Sequence, residues 1–313
     1  HGTGGTLIQH KKEFLLHCNI SREDVVFYYT TCGWMMWNWL VSFLSTGTTI
    51  VLYDGSPFYP DPSAMWSMID ELGITIFGTS AKYIDACKNN NVTPTAFTEL
   101  SSLRSILSTG SPLVDESFDY VYEHVKPSVQ LGSISGGTDL ISCFALANPV
   151  LPVRRGELQC RGLGMHVDAF DENGKSVRNK KGELVCRSPF PSMPVFFWND
   201  DDGEKYRKAY FDKFPGVWAH GDFIEINDHG GLKIFGRSDS TLNPGGVRIG
   251  TAEIYRVVEA FDEVADSLVI GQDRKGDQRM ILFLKLSESV SINDDLTKKI
   301  RQSIKSNCSP RHV

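Results

Sequence analysis

The chain has 313 residues, 41% of them hydrophobic and 11% aromatic, which supports a buried core and excludes a disordered chain. That length leaves room for two domains. A formal net charge of −6, with Lys and Arg interleaved among Asp and Glu, excludes a global basic field that would draw the chain to nucleic acid. The seven cysteines (Cys18, Cys32, Cys87, Cys143, Cys160, Cys186, Cys308) are odd in number and scattered, and no C-x-x-C occurs. This argues against a zinc site or disulfide framework and for a reduced, cytosolic compartment. No apolar run reaches membrane-spanning length. The chain opens on "HGTGG" with neither Met nor a signal-like stretch, so it is expected to be a fragment.

Along the chain, "VVFYYTT" reads as a strand, "MMWNWLVSFLSTG" as a helix ending at Gly47, and "TTIVLYDG" as a strand. "DPSAMWSMIDELG" reads as a helix capped by Asp61, with Pro62 in its first turn and Gly73 closing it. Then come strand "ITIFGTS", helix "AKYIDACKNN", strand "LRSILSTG", helix "LVDESFDYVYEHV" and strand "VQLGSIS". Apolar strands alternating with helices predict a buried, mostly parallel sheet over residues 1–150.

From 151 to 238 the character changes. "GELQC", "MHVDAFDENG", "GELVCRSP", "VWAHGDFIEIND" and "GLKIFGR" are short strands between Gly, Asn and Asp turns, as in an antiparallel barrel or sandwich-like subdomain. Residues 239–313 read as a small α+β unit: helix "GTAEIYRVVEAF", strands "DSLVIG" and "QRMILFLKL", helix "NDDLTKKIRQSIKSN". At about 75 residues that unit is short for closing its own core. The domain boundary is placed at Asp239.

Two small-residue loops, "LSTGSPL" (107–113) and "LGSISGGTDL" (131–140), directly follow predicted parallel strands. Open α/β sheets bind ligands beyond the carboxyl ends of their strands, so both are expected to face one crevice. "GSISG" places its serines wrongly for a nucleophile elbow, and "GLGMHV" has Val167 where a dinucleotide fingerprint needs its third glycine. A serine hydrolase and a dehydrogenase are thereby disfavoured. Asp222, in the turn "WAHGDF", could accept hydrogen bonds from a ribose diol, although an aspartate in a turn is more often structural. His220 beside it reads as a packing or rim residue. His10 and His17 fall on a predicted helix without a third ligand and read as incidental. Arg237 and Arg248 flank "SDSTLNPGGV"; guanidinium forks grip phosphate oxygens, whereas an arbitrary surface Arg pair makes weak ion pairs.

"CGW" (32–34), "STGSP", "GGTD", "HGD" and "GRSDSTLNPGGVRIGTAEI" together resemble the adenylate-forming acyl-CoA synthetases, in the same order and over essentially the whole chain. The resemblance implies that family's fold: a large domain (1–238) and a small mobile α+β lid (239–313). It also implies a reaction that uses ATP, Mg²⁺ and CoA, with no nucleic-acid partner and no membrane insertion. Gly110, Ser111 and Pro112 would lie along the adenine, with Ser135, Gly136 and Gly137 on its other side. Thr138 and Asp139 would face the phosphates and Mg²⁺, and Asp222 the ribose. Arg237 would contact ribose and α-phosphate, Arg248 the phosphates, and Arg301 the CoA phosphates; Asp239 would be the pivot.

Within the family, "WMMWNWLVSFLSTG", "ILSTGSPL" and "LGSISGGTD" are similar to members that activate acetoacetate. Acetyl-CoA synthetases carry tryptophan where Gly136 stands. Glycine would leave room for a four-carbon 3-oxo acid, with Trp34, Met35, Met36 and Thr109 along the remaining wall. Another short-chain acid, or a nucleotide-binding relative without chemistry, are the alternatives. Asp139 stands where the family usually has glutamate. The phosphate loop expected before His1 and the lysine expected beyond Val313 are outside the sequence, so these residues alone are not expected to catalyse adenylation.

Overall fold

The computed structural model describes residues 1–238, 242, 249–274, 277–288 and 290–313. The chain divides into two compact units, His1–His220 with Glu225–Lys233, and Gly221–Ile224 with Ile234–Val313.

In the first unit five short strands pair in parallel in the order β2-β1-β3-β4-β5: β1 (Val25–Tyr28), β2 (Thr49–Val51), β3 (Ile76–Ser80), β4 (Ser105–Thr109) and β5 (Gln130–Ser133). Successive side chains point to opposite faces of a strand. Phe27, Phe77, Ile106 and Leu131 accordingly enter one core with Trp66 of α3 (Ala64–Glu71), Tyr83 of α4 (Ala81–Asn89) and Phe118 of α5 (Asp115–Tyr120). Val26, Tyr28, Ile76 and Leu107 enter the other. There they meet Phe14, in the π-helical turn Glu13–His17 that continues α1 (Thr3–Lys12), and Met36 and Trp39 of α2 (Met35–Ser42). A sheet covered on both faces explains why its strands read as unbroken apolar runs. Trp39 is wholly buried, edge-on to Phe14, Phe43 and Tyr28.

Three elements differ from the sequence reading. α3 starts at Ala64 with Ser63 as its cap residue, while the Asp61 carboxylate accepts from the Ser63 N–H at 2.8 Å in the turn ahead. α6 (Glu204–Tyr210) was not expected. The "SGGTDL" stretch is no open loop: β6 (Ser135–Gly137) pairs antiparallel with β7 (Ser142–Leu146), which pairs in turn with β8 (Cys160–Arg161). Nothing in Ser-Gly-Gly advertises a strand; tertiary pairing makes it one. A four-stranded sheet follows in the order β12-β11-β10-β9, from β9 (Val167–Phe170), β10 (Gly182–Cys186), β11 (Trp218–Ile226) and β12 (Leu232–Arg237).

The second unit holds α7 (Thr251–Val258), the antiparallel hairpin β13 (Val264–Arg274) and β14 (Asp277–Leu286), and α8 (Asp294–Asn307). Asn293 caps α8, accepting from the Leu296 N–H at 2.8 Å, with Asp294 and Asp295 in the first turn. Although short, the unit closes a core of its own from Leu242, Ile249, Ile254, Val258, Val264, Val269, Leu296, Ile300 and Ile304. Among the described residues no helix is long and apolar enough to cross a membrane.

Candidate active site

The first unit gathers most of the predicted site at the carboxyl ends of its parallel strands. Gly110, just after β4, has φ +90°, a conformation that L side chains rarely adopt. A Cβ there would come 3.5 Å from Trp34 Cζ2 and 3.9 Å from Ser80 Cβ, so the backbone of this turn lies beside the indole. Thr109 Oγ1 donates to the Ile134 carbonyl at 2.8 Å and ties the end of β4 to the β5–β6 link. Ser111 and Pro112 are half-buried. Met35 and Met36 are buried in the same apolar cluster as Ile134 and Cys143.

The β6–β7 hairpin presents Thr138 exposed at its tip, next to an Asp139 side chain that is 32% exposed. Asp139 Oδ2 lies 3.9 Å from Nδ1 of the buried His220, whose ring stands edge-on to Phe144 at 4.8 Å. Gly137 leaves space for both: a Cβ there would overlap Asp139 Oδ1 and come 3.0 Å from His220 Cε1. Gly136 is tighter still. A Cβ there would overlap the Ser142 carbonyl oxygen and stand 2.8 Å from Cys143 Cα, where the register against β7 shifts. Close approach of two backbones therefore requires glycine at 136, whatever its part in pocket volume.

Polar side chains from the N-terminal helical segment hold β7, the middle strand of this sheet. His10 Nε2 donates to the Ile141 carbonyl at 2.6 Å, and Nδ1 lies 2.9 Å from Ser42 Oγ. The buried Glu13 carboxylate accepts from Trp39 Nε1 (2.8 Å), the Cys143 N–H (3.2 Å), Gln9 Nε2 (3.2 Å) and Ser142 Oγ. His17 Nδ1 donates to the Ala147 carbonyl at 2.8 Å, and its Nε2 accepts from the Leu163 N–H at 3.0 Å. Ser192 Oγ donates to the Leu140 carbonyl at 2.7 Å. These residues were missed because most of their partners are backbone atoms or side chains 26 or more residues away, and neither leaves a trace in local spacing. The one available signal was two histidines seven residues apart in a predicted helix.

Burial lowers both His10 and His17 below the ordinary histidine value, and for His17 a second proton would also cost the Leu163 hydrogen bond. Both are neutral in the fold. As pH falls below about 6.5, the unfolded chain takes up their protons first, so this stability is complete above that pH and is lost beneath it. Melting temperature should therefore fall between pH 7 and 5, with a slope of up to about 1.4 kcal/mol per pH unit for each proton. His17→Gln should flatten the fall in thermal melts; an unchanged slope would refute the assignment.

In the second unit Asp222, nearly buried, faces Arg237 Nη1 at 3.4 Å, and the Ser238 N–H donates to the Gly221 carbonyl at 2.7 Å. Arg301 lies on α8, lining a cavity of about 340 Å³ with Ile300, Met280 and Leu282. Arg248 and Asp239 lie outside the described residues. Among the described residues no group of three or more His, Cys, Asp or Glu is arranged to hold a metal.

Residues 5–194 match the family model described as "AMP-binding enzyme". The chain belongs to the AMP-binding enzyme family. It is 58% identical over 313 residues to the acetoacetyl-coenzyme A synthetase of Rhizobium meliloti (strain 1021), covering 100% of this chain and 48% of that protein. It is 56% identical over 315 residues to the acetoacetyl-CoA synthetase of Gallus gallus, again along its full length and over 47% of the relative. The solved acetoacetyl-CoA synthetase of Streptomyces lividans superposes with a TM-score of 0.91 at 46% identity, over 99% of this chain and 48% of that one. The chain thus spans about half the length of the curated AMP-binding enzymes it matches.

Proposed function

We propose that the protein works as part of an AMP-forming acetoacetate–CoA ligase. An acetoacetate carboxylate oxygen attacks the α-phosphorus of ATP, and the bond to the β-phosphate breaks to release pyrophosphate. The CoA sulfur then attacks the acyl carbon of the adenylate, and the acyl–oxygen bond breaks to release AMP. The observation that carries this reading is the likeness of the whole chain to acetoacetyl-CoA synthetases at 58% identity. The contact of Trp34 with Gly110 just beyond β4, and the hydrogen bond from Thr109 to the link that leads into the hairpin bearing Thr138 and Asp139, support it, because parallel sheets bind ligands beyond the carboxyl ends of their strands.

In this reading the turn Gly110–Ser111–Pro112 runs along one face of the adenine, and Ser135–Gly137 along the other. Asp222 accepts from the ribose hydroxyls, Arg237 and Arg248 offset phosphate charge, and Arg301 meets CoA phosphates. Trp34, Met35, Met36 and Thr109 border the acyl group. The small domain turns about Asp239 between the half-reactions. Asp139 and the Thr138 hydroxyl form an oxygen donor set that suits Mg²⁺, which is commonly held by one or two carboxylates plus phosphate oxygens and water. Bound there, Mg²⁺ would supply charge neutralisation at the phosphates. All seven cysteines are unpaired, and burial raises the Cys18, Cys87, Cys143, Cys160, Cys186 and Cys308 thiols, consistent with a cytosolic setting.

The test is pyrophosphate release by the full-length enzyme offered acetoacetate, acetate and butyrate. Acetoacetate should give the highest kcat/KM. Preference for another acid would replace the substrate, and no release with any acid would remove the ligase reading.

A further inference from the structure

Residues 138–141 join β6 to β7, with the Ile141 N–H donating to the Thr138 carbonyl at 3.2 Å. Ile141 has φ +47°. Six non-glycine residues show positive φ among those described: Asn19, Asn91, Leu100, Ile141, Asn179 and Asn199. Four are asparagines, which tolerate that region, and Ile141 is the only β-branched one. Such a residue persists there only where its surroundings over-determine it.

The surroundings do so from buried positions. His10 is 0% exposed, and its ring has a partner at each nitrogen: Nε2 donates to the Ile141 carbonyl, and the unprotonated Nδ1 faces Ser42 Oγ of α2 at 2.9 Å. Ser192 holds Leu140 on one side and Glu13 holds Cys143 on the other. The clamp covers 140–143 and stops short of Thr138 and Asp139.

We propose that His10 is a positioning residue: its hydrogen bond keeps Ile141 left-handed, and that conformation fixes how Thr138 and Asp139 are presented to the nucleotide phosphates. The second half of this statement rests on the ligase reading; the first does not. Satisfying a buried carbonyl is the plainer role for His10, but it would leave the Thr138–Asp139 turn indifferent to the loss of the ring.

The experiment uses the full-length enzyme with His10→Phe, His10→Gln, Ile141→Gly and the His10→Phe/Ile141→Gly pair, read by hydrogen exchange and by steady-state pyrophosphate release. In His10→Phe, exchange should rise about tenfold in peptides spanning 138–143 and stay level in β1–β4. Its kcat should fall about 10- to 100-fold with KM for acetoacetate within about threefold, the signature of misplaced reacting groups. His10→Gln retains an N–H donor and should recover to within about threefold of wild type. Glycine adopts positive φ unaided, so adding Ile141→Gly should restore most of the His10→Phe loss, a non-additivity that a merely structural role would not produce. Unchanged kcat in His10→Phe, or losses that simply add in the pair, overturns the proposal. Should His10→Phe not fold, His10→Asn with and without Ile141→Gly decides by the same coupling. If wild type releases no pyrophosphate with any acid, exchange alone decides: a rise confined to 138–143 supports the brace, and no rise overturns it.

Discussion

Gly136→Trp is expected to unseat the β6–β7 hairpin and abolish adenylation with every acid, rather than convert the enzyme to acetate. The volume argument from sequence treats residue 136 as a door to the acyl pocket, where an indole would fill space that a four-carbon acid needs. The geometry puts a backbone in the way. Even the Cβ of alanine would overlap the Ser142 carbonyl oxygen and press on Cys143 Cα at 2.8 Å. Backbone atoms of a paired strand cannot rotate aside as a side chain can, so β6 must shift against β7. Overpacking in a core typically costs 1–3 kcal/mol, and a forced backbone shift should reach about 3 kcal/mol or more. The shift also carries Thr138 and Asp139, the residues placed at the phosphates. Thermal melts and pyrophosphate release with acetoacetate and acetate should show Gly136→Ala and Gly136→Trp both destabilised and both inactive. A tryptophan variant that melts with wild type and gains acetate activity would restore the door and sink the steric argument.

What the sequence disclosed and what it hid follow from the range of the interactions. The parallel strands, the helix closing at Gly47 and the capped start of α8 announce themselves within a few residues, through apolar runs, turn residues and an Asn-Asp-Asp cap. The turn at Gly110 was legible for the same reason, since small residues after a buried strand mark a place where backbone approaches something else. Glu13 and His10 were illegible because their meaning lies in backbone atoms roughly 130 residues downstream. A glutamate beside two lysines carries no local sign of burial, and only the fold shows it enclosed between Trp39 of α2 and the strand β7. The hairpin of Ser135–Gly137 was hidden differently: its sequence carries no strand propensity, and pairing with the apolar β7 imposes the conformation. The core of the second unit was underestimated because α7 and α8 each carry an apolar face toward one long hairpin.

Glu13→Ala is expected to lower the melting temperature by roughly 6–20 °C, and Glu13→Gln by a smaller but clear margin. The carboxylate is completely buried and surrounded by donors: the Trp39 indole, the Cys143 amide, the Gln9 amide and the Ser142 hydroxyl, with Lys12 Nζ 3.7 Å away. Alanine would leave those donors facing a void and the Lys12 charge without its counterion. Removing one partner of a buried charge pair costs about 3–5 kcal/mol. For a unit of this size each kcal/mol moves the melt by about 2–4 °C, which gives the range above. Glutamine keeps the shape but turns one acceptor into a donor, so either the indole or the strand amide meets an N–H and goes unsatisfied, at a cost of about 1–3 kcal/mol. Because Oε2 serves α2 and Oε1 serves β7, the two halves of the carboxylate join the helical layer to the hairpin that bears Thr138 and Asp139. The Gln variant should therefore also raise hydrogen exchange at the Cys143 amide more than at β3 or β4. Equal melts for Glu13→Gln and wild type would mean that the site does not need an all-acceptor group, and the donor-ring account of this seam would have to be given up.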